Sequence, residues 1–179
     1  MKYLKYILGL LVLLLIGFFA MGLIKPEISY ECEIMVEKPT SEAWAVLEDE
    51  SRMGEWMPGF QKIEHISGTK GSVGAVSNVY FLQDGKETVI KETITAIQPN
   101  ESISMRFENE FMNMDYKMVL NSVEGKTKIT TTTRAEGNGL MSKSIMAVAG
   151  GSIKAQEESN LANLKKTIEE NTRNYSQVQ

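Results

Sequence analysis

Residues 28–47 read ISYECEIMVEKPTSEAWAVL, and the spacing of the apolar residues changes at Pro39. Before the proline, apolar side chains occupy every second position, which is the pattern of a half-buried β-strand. They are Ile28, Tyr30, Cys32, Ile34 and Val36. After the proline, Thr40 or Ser41 can cap a helix whose apolar stripe includes Trp44. The stretch therefore predicts a strand that leads directly into a short helix.

Downstream of a second short segment at residues 51–56, the sequence predicts six further strands. Asp84-Gly85 and Glu124-Gly125 each fit the turn of a β-hairpin. Because hairpins join antiparallel neighbours, we expect an antiparallel sheet. The predicted strands are residues 60–67, 76–83, 86–98, 102–109, 113–123 and 127–136.

After the turn at residues 137–139 the apolar spacing becomes helical, and only the tail after Asn171 looks loose. Gly150-Gly151 falls inside this helical stretch and predicts a kink in one long helix, with a split into two helices as the alternative. The predicted fold class is α+β. A curved antiparallel sheet of about seven strands wraps a long C-terminal helix, and two short helices follow the first strand.

The N-terminal segment contains no charged residue from Tyr6 to Ile24. As a helix it would be roughly 28 Å long, close to the ~30 Å hydrocarbon core of a bilayer. It therefore predicts a membrane anchor within residues 1–26, followed by one domain in residues 27–179. The alternative is a secreted protein after signal-peptide cleavage near residues 20–22. The apolar run is longer than the usual apolar region of a signal peptide, which favours the anchor.

Flanking charges suggest the orientation of the span. Lys2 and Lys5 precede it, and Lys25 follows it. By the positive-inside rule the N-terminus is expected inside and the domain extracytoplasmic.

The remaining chain is acidic. Since Lys2, Lys5 and Lys25 are three of the 19 basic residues, the rest of the chain carries 16 basic and 23 acidic residues, a net charge of −7. Nucleic-acid affinity comes largely from basic residues, so nucleic acid is not expected as a partner. The single cysteine, Cys32, excludes an internal disulfide. With one histidine, His65, the usual zinc ligands are lacking, and no metal or cofactor is expected.

The order of elements resembles that of the START-like superfamily, also called SRPBCC, which includes polyketide cyclase, lipid-transfer and birch-pollen-allergen families. The matching landmarks are the strand–proline–helix passage at 34–47, the Trp-Met-Pro at 56–58, the glycine turn at 68–74 and the helix at 161–166. The resemblance covers about residues 28–171. It implies a helix-grip fold with a cavity for an apolar or amphipathic ligand between sheet and C-terminal helix. The superfamily contains binders, carriers and enzymes, so the fold alone does not decide the function.

Candidate cavity residues follow from the predicted inward faces. They are Met105, Phe107, Met114, Tyr116, Met118, Met141, Ile145, Met146 and Ile153. Methionine adapts to ligands of irregular shape, and the chain has 11 of them. Packed core is the alternative for each. Glu92 shares a face with Ile90 and Ile94, where a carboxyl group could orient a polar ligand head or act as an acid or base.

Three functions remain open at this point. The favoured one is membrane-tethered binding or local transfer of a hydrophobic, lipid-like small molecule. The second is an enzyme of the cyclase or dehydratase kind that uses Glu92, His65 or Tyr116, although no catalytic constellation is recognisable. The third is a non-catalytic interaction module whose cavity is filled by its own side chains.

Overall fold

The computed structural model describes residues 2–175; Met1, the side chain of Lys2 and residues 176–179 lie outside the described part. In that part the elements, in chain order, are α1 (Lys2–Ile24), β1 (Glu27–Val36), α2 (Thr40–Glu48), the 3-10 helix η1 (Glu50–Arg52), α3 (Met53–Trp56), β2 (Phe60–Ser67), β3 (Val76–Gln83), β4 (Lys86–Gln98), β5 (Ser102–Glu108), β6 (Met112–Val123), β7 (Lys126–Gly137) and α4 (Leu140–Glu169). This order confirms the predicted α+β helix-grip fold.

The sheet has seven antiparallel strands in the order β1-β7-β6-β5-β4-β3-β2. Two of its hairpins turn through consecutive residues with positive φ, Asp84 (50°) with Gly85 (76°) and Glu124 (52°) with Gly125 (79°). Such turns match the twist of the flanking strands. A register shift between Ile94 and Ala96 interrupts the β4–β5 ladder, and bulges of this kind bend a sheet.

Helix α4 packs mainly on β1 and β7, at one side of the sheet. Its second half is buried through Leu161, Leu164 and Ile168, which share a core with Trp44 of α2 and Ile129 of β7. The helix is continuous through Gly150-Gly151, so it is one helix and not two. A Cβ at Gly150 would lie 3.2 Å from Cγ2 of Ile28, so this glycine lets α4 approach β1 closely.

The segment after α4 is held down, contrary to the loose tail expected from the sequence. The Asn171 side chain accepts a hydrogen bond of 2.8 Å from the buried Arg52 guanidinium. Arg173 and Tyr175 both donate to Oδ2 of Asp49, at 2.6 and 3.0 Å. Polar contacts to the α2–η1 junction therefore order this segment as far as residue 175, although its sequence has no regular apolar period.

Helix α1 contacts the domain only through its C-terminal part among the residues described. The side chains of residues 3–17 are exposed, whereas Phe18, Phe19 and Ala20 are half-buried and Gly22 is buried. This end of α1 packs against α4, where a Cβ at Gly22 would lie 2.6 Å from the backbone nitrogen of Ser144. Tyr3–Ile24 is long and apolar enough to cross a membrane, a property that signal sequences share.

Candidate functional site

The candidate site is the concave, inner face of β4, β5 and β6, which α4 does not cover as it covers β1 and β7. Cross-strand partners point to the same side of a sheet, so the register defines this surface. One row joins Glu92, Phe107 and Met114, and the next joins Ile94, Met105 and Tyr116. These six residues are called the inner face below. Only Ile94 is fully buried, and the other five are half-buried.

Glu92 is the polar residue of β4 on this otherwise apolar surface. Its strand neighbours in register are Ser77 of β3 and Phe107 of β5. Burial, with a smaller contribution from the negative charge of Glu50, raises the pKa of Glu92 from its usual 4.5 to about 7. A carboxyl group with this pKa is partly protonated near neutral pH, so it can both donate and accept a hydrogen bond.

Glu50, whose negative charge contributes to the raised pKa of Glu92, lies at the edge of the site. It lies on η1, and its Oε1 is 2.9 Å from Nζ of Lys70 in the β2–β3 loop. This ion pair links η1 to that loop, and both of its side chains are substantially exposed, 66% for Lys70 and 38% for Glu50.

A second polar group lies where the inner face meets α4. The Tyr116 hydroxyl donates a hydrogen bond of 2.9 Å to Oε1 of Glu157 on α4. Burial raises the pKa of Glu157, and the hydrogen bond from Tyr116 opposes this shift. Burial and the negative charge of Glu157 raise the pKa of Tyr116 well above its usual value.

Tyr30, Thr131 and Thr133 surround this pair on β1 and β7. Tyr30 is opposite Thr133 in register, and burial raises its pKa to about 12. Within residues 2–175, the buried hydroxyls of Thr131 and Thr133 have no partner at good hydrogen-bond geometry. Thr133 interacts with the Tyr30 hydroxyl, and Thr131 with the Tyr116–Glu157 pair, so these two buried hydroxyls belong to the polar cluster around that pair.

The sequence-predicted site residues fall into three groups. Glu92, Met105, Phe107, Met114 and Tyr116 lie together on the inner face, and Met118 continues that face into the packed core. Met146 and Ile153 lie on the α4 stripe that faces the sheet, which includes Gly150 and Glu157.

Met141 and Ile145 do not join them. Their side chains are 56% and 40% exposed, on a different side of α4 from buried Met146. The physical reason is that α4 carries apolar residues on two faces, and only one of these faces meets the sheet.

Glu157, Glu50, Thr131 and Thr133 are not among the site residues predicted from the sequence. Glu157 had a detectable signal, because it is an acidic residue on the apolar stripe formed by Ile153, Leu161 and Leu164. Threonine is common in strands, and nothing in the spacing of these two residues distinguishes a buried hydroxyl from an exposed one.

His65 is exposed, and its Nε2 lies 3.0 Å from the carbonyl oxygen of Gly68. This contact is that of a hydrogen-bonded strand histidine. In register His65 is opposite Ser77, so it lies in the row of Glu92, two strands away from it. No group of three or more potential metal-ligating side chains occurs within residues 2–175.

The outer face of the same strands differs chemically. Arg106 points away from Met105 and Phe107, as the strand alternation predicts, and its Nη1 lies 3.0 Å from Oδ1 of Asp115. Arg134 pairs with Glu27 at 2.7 Å. A shallow pocket lies on this outer face between Thr95 and Arg134, but these charges are already paired. The outer face therefore lacks the apolar surface that distinguishes the inner one.

Comparison with known proteins agrees with this geometry. Residues 27–169 match the family described as polyketide cyclase/dehydrase and lipid transport. No curated protein matches the chain.

Among solved structures, the ZhuI aromatase/cyclase from Streptomyces sp. R1128 is similar with a TM-score of 0.68 at 13% identity, over 84% of this chain and 98% of that one. The protein Ara h 8.0201 has a TM-score of 0.67 at 19% identity, over 81% and 99%. A protein of unknown function from Staphylococcus aureus has a TM-score of 0.65 at 13% identity, over 80% and 94%. At these identities the structures share the fold, and the family match over most of the length shows that the chain belongs to the polyketide cyclase/dehydrase and lipid transport family.

Proposed function

We propose that this protein binds a hydrophobic, lipid-like small molecule on its inner face and transfers it locally at the membrane that α1 crosses. The observation that carries the proposal is the half-burial of Met105, Phe107 and Met114 on the concave side of the sheet. Apolar side chains in this state gain about 25 cal/mol for each Å² that a ligand removes from water. The family, whose description includes lipid transport, supports this class of ligand.

The polar groups at the site suit an amphipathic ligand. Glu92 lies at one end of the apolar rows, and the Tyr116–Glu157 pair lies at the other. Such a distribution holds the apolar body of a ligand between two places where a hydroxyl or carbonyl group finds a partner.

A retained α1 is part of the proposal. Ser144 is fully buried, and Gly22 packs directly against it. Cleavage near residues 20–22 would remove most of α1 and disrupt this contact, so the packing supports an anchor over a cleaved signal peptide. Only Lys25 and Pro26 separate α1 from β1, so the domain stays at the bilayer surface and its ligand is one available there.

The test is native mass spectrometry of the full chain, purified in mild detergent, followed by organic extraction of any bound molecule. We expect a reproducible adduct of a lipid or apolar metabolite. The variant Met105→Asp places a charge on the inner face and should abolish the adduct. The matched control Ser104→Asp places the same charge on the neighbouring position of β5, whose side chain points the other way.

Two results would contradict the proposal. One is a wild-type protein that carries no adduct and takes up no hydrophobic fluorescent probe, which would indicate an inner face filled by its own side chains. The other is an adduct lost equally from both variants, which would indicate that charge on this strand acts through folding and not through the ligand.

An enzymatic function is the second candidate, and the raised pKa of Glu92 favours it. A carboxyl group with a pKa of about 7 can act as a general acid or base at neutral pH. If Glu92 does so, the wild-type protein will chemically change the recovered ligand on incubation. Glu92→Gln will bind it and leave it unchanged. A ligand unchanged by both proteins supports binding alone.

A further inference from the structure

The membrane-proximal end of the domain carries a cluster of exposed apolar side chains. They are Phe111, Leu140, Met141, Ile145 and Val148, and they are called the apolar rim below. Met141, Ile145 and Val148 follow one another at the spacing of a single helix face. Val148 is 64% exposed and Met141 is 56% exposed, values that are unfavourable for such side chains in water.

Backbone and side-chain hydrogen bonds join the two parts of the rim. Phe111 lies in the β5–β6 hairpin, and its carbonyl oxygen accepts a hydrogen bond of 2.9 Å from the backbone of Asn138, two residues before α4. The Asn138 side chain donates to the carbonyl oxygen of Asn109 at 2.7 Å. The hairpin and the first turns of α4 therefore form one surface.

Two sides of this part of α4 are already occupied. Met146 and Gly150 face the sheet, and Ser144 contacts Gly22 of α1. Ser144 and Met146 are two residues apart, which is about 200° around a helix. The sheet and α1 thus hold α4 from different sides, and the rim is the side that neither covers.

The position of α1 indicates what covers the rim. The half-buried and buried residues of α1 run from Phe18 to Gly22, close to its end at Ile24. Six residues of helix span about 9 Å. In a bilayer spanned by α1, the first turns of α4 lie beside the last 9 Å or so of the span, which is the depth at which interfacial helices bury their apolar face.

The small number of charged residues near the rim is consistent with a position in the membrane interface. Residues 140–153 contain a single charged residue, Lys143, whose Nζ lies 2.6 Å from Oε1 of Glu136. The domain has an excess of acidic residues, yet none falls in this segment. Glu110, beside Phe111, is exposed at the hairpin tip, where a carboxylate can reach the headgroup layer.

We propose that the apolar rim inserts into the same bilayer that α1 spans, so that the domain is docked on the membrane by a second, non-covalent contact. The inference rests on the proposed function in one respect, the retention of α1 as a membrane helix. Its partner is the lipid surface itself, with phosphatidylcholine sufficient for binding because the rim offers apolar area and no unpaired basic residue.

The test uses the full chain, with buried Cys32 replaced by alanine, reconstituted in phosphatidylcholine vesicles. A single cysteine carrying an environment-sensitive fluorophore is placed at Val148 (V148C), and two sets of lipids, with nitroxides at shallow or at deep positions of the acyl chain, serve as quenchers. We expect blue-shifted, strongly quenched emission. The matched control is Ala162→Cys, an exposed position two heptads further along the same face of α4, which should be unquenched.

A third label, at Leu13 in α1, distinguishes insertion of the apolar rim from anchoring by α1. Quenching at Leu13 without quenching at Val148 would overturn the rim proposal and leave the anchor intact. Quenching at neither position would overturn the anchor and the rim together. Equal quenching at Val148 and Ala162 would also overturn the rim, because contact would not be confined to it. Circular dichroism of each labelled protein checks that these exposed substitutions leave the fold unchanged.

Discussion

The hydroxyl of Tyr116 donates its hydrogen bond to a carboxylate 41 residues further along the chain, that of Glu157. This contact joins the middle of the sheet to the middle of α4, where the inner face meets that helix. It combines a half-buried donor with a half-buried acceptor, so removing either partner leaves the other without this hydrogen bond.

Tyr116→Phe is therefore expected to lower the free energy of unfolding by about 0.5–1.5 kcal/mol, the usual net contribution of an intramolecular hydrogen bond. The double variant Tyr116→Phe with Glu157→Leu should be less destabilised than the two single changes together, since neither unpaired group remains. Urea unfolding of the full chain in detergent, followed by circular dichroism, measures the four free energies of the cycle. Additive effects would show that the two side chains are energetically independent.

Glu92 should make stability depend on pH. Its pKa is raised from 4.5 to about 7 on folding, so the folded state binds this proton more tightly than the unfolded state. Its contribution is present below pH 4.5 and is lost as the pH rises through about 7. Glu92→Gln should weaken the fall in unfolding free energy over this window and make the protein more stable than the wild type at pH 8.

Urea unfolding at pH 5 and pH 8 measures this effect, with the exposed Glu87→Gln on the same strand as the control. If Glu92→Gln and Glu87→Gln show the same pH dependence, then Glu92 is not the group responsible.

Gly22→Leu should separate α1 from α4, because the added side chain has no room beside Ser144. The readout is the rate at which a thiol reagent modifies a Ser144→Cys variant lacking Cys32, in detergent. We expect slow modification when residue 22 is glycine and fast modification when it is leucine. Gly17→Leu is the matched control, since no atom lies within 4 Å of the position its Cβ would take. Fast modification of Ser144→Cys in the protein that keeps both Gly17 and Gly22 would contradict the packing of α1 against α4.

Arg52→Ala should destabilise the fold strongly. The guanidinium is buried and donates to the Asn171 side chain at 2.8 Å and to the carbonyl oxygen of Thr167 at 3.2 Å. Its removal leaves the Thr167 carbonyl oxygen without this donor, while Asn171 Oδ1 keeps the hydrogen bond from the backbone nitrogen of Arg173. The expected loss is about 1–3 kcal/mol. Arg106→Ala removes an exposed pair to Asp115 and should cost under about 1 kcal/mol. Thermal unfolding of both variants measures the two losses of stability. A larger loss for Arg52→Ala would show that the burial of the arginine, and not its charge alone, determines the cost.

The strands were predictable because their signals are local. Period-two alternation and the turns at Asp84-Gly85 and Glu124-Gly125 lie within a few residues of the elements they define, and the observed strands begin and end within one residue of the predicted bounds. The family resemblance rested on the same local landmarks, in the right order.

Much of the site was less predictable, for a geometric reason. Alternation places Met105 and Phe107 on one face, and the concave side of the sheet follows from the fold. By contrast, the spacing of Met141 and Ile145 fits a buried helix face equally well, and the choice between faces depends on the sheet and on α1. The Tyr116–Glu157 contact is set by the docking of α4, which no spacing within the chain specifies.

Helix α4 is held by contacts at both of its ends, and this limits how the inner face can open. Gly22 and the β5–β6 hairpin hold its beginning, and Arg52 and the segment ending at Tyr175 hold its end. Because α4 is held at both ends, it cannot move away from the sheet without breaking buried contacts at each end. The Lys70–Glu50 ion pair is exposed, and such pairs contribute only about 0–1 kcal/mol. The contact between η1 and the β2–β3 loop therefore separates at a lower cost in free energy than either end of α4.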